Sequence, residues 1–120
     1  MNNLRVYIIE KLKIDKNVKF DKYQEVKDII NEILIDNFGE DKVKEYIKIE
    51  ETEKNYHEIC ISIDENIFDK NQSNMKILRF DISYPITMAI QNAGYENFNS
   101  YQPSYYRDFK VYKIRLIFKD

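Results

Sequence analysis

The chain has 120 residues, a formal net charge of −2 at pH 7, 43% hydrophobic residues and 33% charged residues. This length suits one domain with one hydrophobic core, and the composition excludes a wholly disordered chain. One cysteine, one histidine and two glycines exclude an internal disulfide, a zinc site built from Cys and His, and a glycine-rich phosphate loop. We therefore predict a single domain over residues 1–120, with no metal and no cofactor.

The start of the chain and the length of its apolar runs indicate in which cellular compartment the protein resides. Residues 1–7 lack the basic and apolar regions of a signal peptide. Apolar runs elsewhere fall well short of the length that spans a bilayer. We expect a soluble, cytoplasmic protein that does not contact a membrane.

The N-terminal third predicts a strand followed by a helix. Residues 3–12 are rich in β-branched and aromatic side chains, which is typical of an interior strand. Asp21 with Gln24 three residues later resembles a capping box, and Gly39 stands where a left-handed C-terminal cap belongs. Between them, apolar residues recur at intervals of three and four and form one stripe: Val26, Ile29, Ile30, Ile33, Leu34 and Phe38.

The middle of the chain predicts strands. Residues 46–64 form a β-hairpin pattern with Lys54 and Asn55 in the turn. Its second strand alternates, so that one face carries Ile59, Ile61 and Ile63. Residues 65–74 are mostly polar and predict a loop. Residues 76–82 predict a further strand, with an inner face that carries Leu78, Phe80 and Ile82.

The C-terminal part predicts a helix, an aromatic loop and a strand. Ser83 and Pro85 mark the start of a short apolar helix that ends at Gly94. The loop runs to about Arg107, and the last strand covers residues 109–119. In that strand Lys113 and Arg115 point outward, while the inner positions are Tyr112, Ile114, Leu116 and Phe118.

The predicted element order is β-α-β-β-(β)-α-β. It indicates an α+β fold, with a mainly antiparallel sheet and two helices on one face. By architectural analogy this resembles the split β-α-β plan of ferredoxin-like domains with one added strand. That plan carries many unrelated functions, so the analogy implies none of them.

The segment between Tyr95 and Tyr112 is the most distinctive feature of the sequence. Its ends are expected to be structural, with Tyr95 and Phe98 capping the short helix and Phe109 and Tyr112 closing the core. In the middle, Asn, Ser, Gln and Pro surround tyrosines, as in recognition loops that offer large amphipathic contact area. If this loop is exposed to solvent, its candidate contact residues are Tyr101, Tyr105, Tyr106 and Arg107.

Charge is distributed unevenly along the chain. Residues 40–69 carry six more acidic than basic side chains, and residues 70–120 carry four more basic than acidic ones. Such separation favours opposite potentials on two regions of the surface. The densest acidic group, which we propose as a contact for a basic surface on a protein partner, consists of Glu50, Glu51, Glu53 and Glu58.

The leading hypothesis is a small acidic protein that acts by binding another macromolecule and is not an enzyme. The acidic segment would meet a basic protein surface while the tyrosine loop supplies apolar contact. Charge and size favour an inhibitor of a nucleic-acid-handling protein, of the immunity-protein or viral anti-defence kind. A homodimer is compatible with a terminal strand at a sheet edge.

Two alternatives remain open. The first is a ferredoxin-like RNA- or DNA-binding module, because basic residues alternate with aromatic ones on the last strand at Lys110, Lys113 and Arg115. The acidic balance of the chain weighs against it. The second is a hydrolase that uses carboxylates near the single histidine, with Glu50, Glu53, His57 and Glu58 as its candidate cluster.

Overall fold

The computed structural model describes residues 23–53, 56–70 and 72–119. The predicted strand at residues 3–12, the proposed cap at Asp21 and the proposed turn at Lys54 and Asn55 lie outside them. Within the described residues, helices pack on an antiparallel sheet, which confirms the predicted α+β class. The ferredoxin-like order stays a prediction, since its first strand is not among these residues.

Helix α1, Gln24–Phe38, is the amphipathic helix that the apolar stripe predicts. Its buried residues, spaced four apart, are Val26, Ile30 and Leu34. Gly39 follows with φ of 89° and ψ of 153°, and its N–H donates to the carbonyl of Ile35 at 2.8 Å. The positive φ is as predicted for a glycine that ends a helix. The ψ lies outside the left-handed helical region, and helix α2, Glu40–Tyr46, begins at the next residue.

Five antiparallel strands form one sheet. They are β1 (Ile47–Glu53), β2 (His57–Asp64), β3 (Phe98–Ser100), β4 (Ser104–Tyr106) and β5 (Val111–Phe118). The strands β1, β2 and β5 follow one another, and β3 and β4 both pair with the other edge of β5. The hairpin of β1 and β2 confirms the pattern in residues 46–64. The last strand lies between β2 on one side and β3 and β4 on the other, and not at the sheet edge that would leave it open to a second copy.

The segment that predicted a strand at residues 76–82 is helical instead. After a 3₁₀ turn at Glu65–Ile67, helix α3 covers Asn74–Ile77, a π-helical stretch covers Leu78–Ser83, and helix α4 covers Tyr84–Asn92 without interruption. Residues 74–92 are here called the helical segment. Its fully buried residues are spaced four apart: Leu78, Ile82, Ile86 and Ile90. A period of four fits a wide helical turn. The helix also begins nine residues before the predicted start at Ser83.

The π-helical stretch accommodates Pro85. A proline has no N–H, so the carbonyl of Asp81, four residues earlier, loses its helical partner. That carbonyl accepts a hydrogen bond of 3.2 Å from the side-chain amide of Asn37 at the end of α1. The same amide also donates to the carbonyl of Ile33 at 2.9 Å. Local widening of a helix is a common response where its regular hydrogen-bond ladder is interrupted. The hydrogen bond from Asn37 to the freed carbonyl also joins the two helices.

Helix α1 and the helical segment lie side by side and run antiparallel. The end of α1 meets the start of the segment where Asn37 bonds Asp81. At the opposite end, Tyr23 lies before α1 and its ring is 6.4 Å from that of Tyr95, which follows α4. Because both helices turn their buried residues toward the core, their exposed faces lie next to each other.

The sheet has two unlike faces. The first face packs against the helices in one apolar cluster, to which the strands contribute Ile47, Ile59, Ile61, Ile63, Ile114, Leu116 and Phe118. This confirms the predicted inward positions of β2 and β5. Alternation along the strands places on the second face Glu50, Glu58, Cys60, Ser62, Lys113 and Arg115. Among the described residues, no helix combines the length and apolar character needed to cross a bilayer.

The aromatic residues at the ends of the Tyr95–Tyr112 segment differ in their roles. Tyr95, Phe98 and Tyr112 pack against the core, as predicted. Phe109 does not close the core, because 75% of its surface is exposed. It lies in the four-residue turn between β4 and β5, which begins with Arg107 and in which all four residues are exposed. The last strand therefore begins at Val111.

Candidate interaction surface

The helical segment carries a second apolar row opposite the one it buries. Phe80 is 64% exposed, Tyr84 is 63% exposed and Met88 is 38% exposed. These three residues, here called the apolar crest, are spaced four apart and alternate with the buried row of the same helix. A surface helix normally has one apolar stripe and one polar face. Large apolar side chains on both sides are typical of a helix that is covered by a partner.

Helix α1 presents an acidic row beside the crest. Asp28, Glu32 and Asp36 are exposed and lie opposite the buried residues of α1. With a rise of 1.5 Å per residue, their carboxylates recur about every 6 Å along the helix. The only basic residue of α1, Lys27, bonds Glu51 at 2.7 Å. The exposed face of α1 is therefore acidic along its whole length.

A groove lies on the other side of the crest, between the helical segment and the edge of the sheet at β3. It has a volume of about 540 Å³. Its lining consists of Arg79, Phe80, Ser83, Tyr84, Thr87, Ser100, Tyr101 and Gln102. Aromatic rings therefore stand on both walls, and one cation but no carboxylate lines the space. The groove is open along its length and accessible from solvent.

The three tyrosines that the sequence singles out are partly exposed: Tyr101 by 45%, Tyr105 by 41% and Tyr106 by 38%. They do not form one patch. Tyr105 is on the first face, where its ring packs 4.7 Å from that of Tyr112 and its hydroxyl donates to Glu65 at 2.8 Å. This hydrogen bond raises the pKa of the Tyr105 phenol. The residue is thus held by contacts within its own chain.

The other two tyrosines belong to the second face. Tyr106 lies under the ammonium of Lys113, 4.9 Å from the ring centre, and Tyr101 lies under the guanidinium of Arg115 at 5.5 Å. Arg107 is exposed in the turn after β4, apart from both pairs. Tyr101 therefore has two neighbourhoods, since it also lines the groove at the sheet edge.

The four predicted acidic contacts are divided between the two faces. Glu58 pairs with Arg115, with the carboxylate 2.5 Å from Nη2 and 3.0 Å from Nε, and Glu50 is exposed on the same face. The hydrogen bond to Glu58 raises the pKa of Arg115. Alternation along β1 places Glu51 and Glu53 on the first face. The eight predicted contact residues are therefore spread over several surfaces, and their role in binding stays a prediction.

The four residues proposed for a hydrolase are divided between the two faces, with Glu53 and His57 as cross-strand partners on the first face. His57 lies on the first face, where its Nε2 is 2.5 Å from the carboxylate of Glu51 and its ring stacks on Tyr23 at 3.9 Å. Glu50 and Glu58 are on the opposite face of the same hairpin. Catalytic groups must approach one reacting atom together. No group of three or more metal-ligating side chains occurs within residues 23–53, 56–70 and 72–119.

Cys60 provides a direct check on the second face. Burial raises the pKa of its thiol above the ordinary value, with opposing contributions from Ser62 and Lys113. We expect the thiol to react with iodoacetamide more slowly at pH 8 in the native protein than in urea, because less thiolate is present. The rate should rise as pH increases through the raised pKa. Equal rates in the two states would show that β2 does not hold Cys60 in this environment.

Scans against protein-family models, curated proteins and solved structures found no match. The site is therefore interpreted from its own residues. Sequence reasoning missed the crest because it assigned Phe80 to the inside of a strand and placed Met88 in a separate, short apolar helix. The signal that identifies the crest is the presence of two apolar rows on opposite faces of one helix. In each row the residues are spaced four apart.

Proposed function

We propose that this protein is a non-catalytic binding protein. It captures a protein partner on its helical layer, the surface formed by the acidic row of α1 and the apolar crest of the helical segment. The exposure of Phe80 and Tyr84 carries the proposal, because each leaves more than 60% of its surface uncovered on a helix that already fills the core with its other side. Covering such side chains with apolar groups of a partner stabilises a complex by about 25 cal/mol for each Å² removed from water.

The acidic row specifies the chemistry of that partner. Because the two helices are antiparallel neighbours, the row of Asp28, Glu32 and Asp36 flanks the crest at the usual helix spacing of about 8–10 Å. A complementary surface has an apolar patch bordered by Lys or Arg side chains. Proteins that handle nucleic acids carry such basic surfaces. Inhibition of a protein of this kind is the form of the function that we propose.

The test is affinity capture from the native host with quantitative mass spectrometry. The double variant Phe80→Ser/Tyr84→Ser should reduce capture of the partner at least about tenfold, since each aromatic anchor commonly contributes more than 1.4 kcal/mol. Phe109→Ser is the matched control, because Phe109 is equally exposed but lies in the turn between β4 and β5. That variant should capture the partner normally.

Charge provides an independent arm of the same experiment. Glu32→Lys should weaken capture, and added salt should weaken capture by the unaltered protein, because the acidic row acts through screened Coulomb attraction. The proposal fails if the crest variant captures the same proteins in the same amounts. It also fails if Phe109→Ser loses them equally.

The second face supports another candidate function, binding of single-stranded nucleic acid. Tyr101 with Arg115 and Tyr106 with Lys113 bring two aromatic rings and two cations together on an antiparallel sheet, an arrangement that can stack bases and contact phosphates. Glu58 neutralises Arg115, which weakens the case. The variant Lys113→Glu/Arg115→Glu should abolish fluorescence-anisotropy binding of an oligo-uridine if this function exists. Protein capture by the crest should be unchanged.

A further inference from the structure

The outer edge of β3 carries backbone groups that point away from β5, and Ser100 on this edge lines the groove. On its inner side, the N–H of Tyr101 donates to the carbonyl of Arg115 at 3.0 Å, and the carbonyl of Asn97 accepts from Lys119 at 2.8 Å. In an antiparallel ladder, successive residues direct their N–H and C=O groups to opposite sides. The backbone groups of Phe98 and Ser100 therefore point away from β5. In the part of the chain that the structure describes, β3 ends the sheet on this side.

The opposite wall of the groove is the helical segment. Phe80 and Tyr84 stand along it, and Tyr101 rises from the β3 side. The volume of about 540 Å³ lies within the range of pockets that enclose small ligands or a few residues of a peptide. Since β3 has three residues, its edge is about 10 Å long at roughly 3.3 Å per residue, so about three residues of a longer peptide can pair with it.

The groove also differs in charge from the acidic row on α1. Arg79 is the one charged residue in its lining. Its neighbour Asp81 lines a separate cavity between α1 and the helical segment, on the side of Asn37. Within the described residues, Arg79 has no carboxylate within ion-pairing distance. An anionic group entering the groove would meet an unopposed guanidinium.

We propose that this groove binds an extended peptide segment of another protein as an additional strand on β3. The backbone of the peptide pairs with the outward N–H and C=O groups of Ser100 and Phe98. An apolar side chain of the peptide fits between Tyr84 and Tyr101, and an Asp or Glu side chain bonds Arg79. This site is distinct from the acidic row, and its ligand carries the opposite charge to the partner surface proposed above.

Among the described strands, none pairs with the outer edge of β3, and such an edge favours an extended peptide over other occupants. A strand added to a sheet edge gains affinity from main-chain hydrogen bonds and specificity from pockets that receive alternate side chains. A helical ligand has satisfied its own backbone groups internally and would leave those of Ser100 unpaired. The aromatic walls and the single cation then determine which peptide side chains are accepted.

The first experiment uses an array of acetylated, amidated hexapeptides. Each carries one apolar residue and one Asp, Lys or Ser at defined positions in a threonine background. The full-length chain should bind peptides with Asp about tenfold more tightly than those with Ser at one preferred spacing, as expected for a charge-assisted hydrogen bond. Arg79→Glu should change the preference from Asp to Lys. An absence of this change would overturn the role of Arg79.

The second experiment tests strand addition by amide hydrogen exchange, with the tightest array peptide as the probe. In the free protein the amides of Phe98 and Ser100 should exchange rapidly, while those of Asn99 and Tyr101 are protected. The peptide should slow exchange at Phe98 and Ser100 at least about tenfold. A peptide that binds in a helical conformation, or leaves both amides unprotected, contradicts the proposal.

Matched variants separate this site from the helical layer. Ser100→Pro removes an N–H that β5 does not use, which edge strands tolerate, and it should lower peptide affinity about tenfold. Asn99→Ala changes a side chain on the second face and should have no effect. Glu32→Lys should weaken partner capture while leaving peptide binding unchanged. If Ser100→Pro binds the peptide as well as the unaltered protein, the pairing with β3 is wrong.

Discussion

Replacing Ile82 by Ala is expected to lower the free energy of unfolding by about 3 kcal/mol, whereas Phe80→Ala changes it by less than about 0.5 kcal/mol. Ile82 is fully buried in the cluster between the helices and the first face of the sheet, so its removal leaves a cavity. Phe80 is 64% exposed on the same stretch of helix. Urea titration followed by circular dichroism measures both changes.

The pair discriminates between a helix and a strand at residues 76–82. A strand with both side chains inward would make the two substitutions about equally destabilising, because each would empty part of the core. Ile82→Val serves as the graded control and should cost about 0.5–1.5 kcal/mol. A large loss of stability in Phe80→Ala, with the same dependence on urea concentration, would contradict the helical assignment.

The error at this segment has a physical origin in its spacing. Leu78 and Ile82 are four residues apart, and a period of four satisfies both the alternation of a strand and one turn of a wide helix. Phe80 completes the alternating pattern, although its side chain faces solvent because it belongs to the crest. The exposed side chain of Phe80, which forms part of the crest, thus led to the wrong prediction of a strand. Extension of the period to Ile86 and Ile90 is the signal that favours a helix.

Other elements could be predicted because their patterns admit one interpretation. In α1, the combined three- and four-residue spacing from Val26 to Phe38 does not fit a strand. In β2, the strict alternation of Ile59, Ile61 and Ile63 does not fit a helix, and all three are fully buried. These patterns arise because one face of each element meets the core, which is a local property that the sequence records.

The candidate site depends on pairings that no local pattern records. Tyr105 and Tyr106 are adjacent in the chain, yet the register of β4 with β5 sets one against Tyr112 and the other beside Lys113 on the opposite face. A shift of one residue would exchange their faces. The crest and the acidic row are likewise distant in sequence. They become neighbours because α1 and the helical segment pack side by side.

Gly39→Ala is expected to lower the free energy of unfolding by about 2 kcal/mol. The backbone of Gly39, with φ of 89° and ψ of 153°, occupies a region that only glycine adopts without strain. The residue cannot relax easily, because its N–H bonds Ile35 at the end of α1 and its carbonyl accepts from Val43 in α2. Crowding makes no contribution, since an added Cβ would meet no atom within 4 Å.

A mirror-image substitution separates backbone strain from every other cause. Chemical ligation at Cys60 allows total synthesis of the chain with D-alanine at position 39, and a D-residue accepts positive φ without the clash that penalises an L-residue. We expect the D-alanine protein to match or slightly exceed the glycine protein in stability, because its unfolded state has less conformational freedom. Glu40→Ala, an exposed substitution at the next position, should change stability by less than about 0.5 kcal/mol. Equal losses for the two enantiomers of alanine would mean that the junction between α1 and α2 depends on open space around Gly39 and not on its φ.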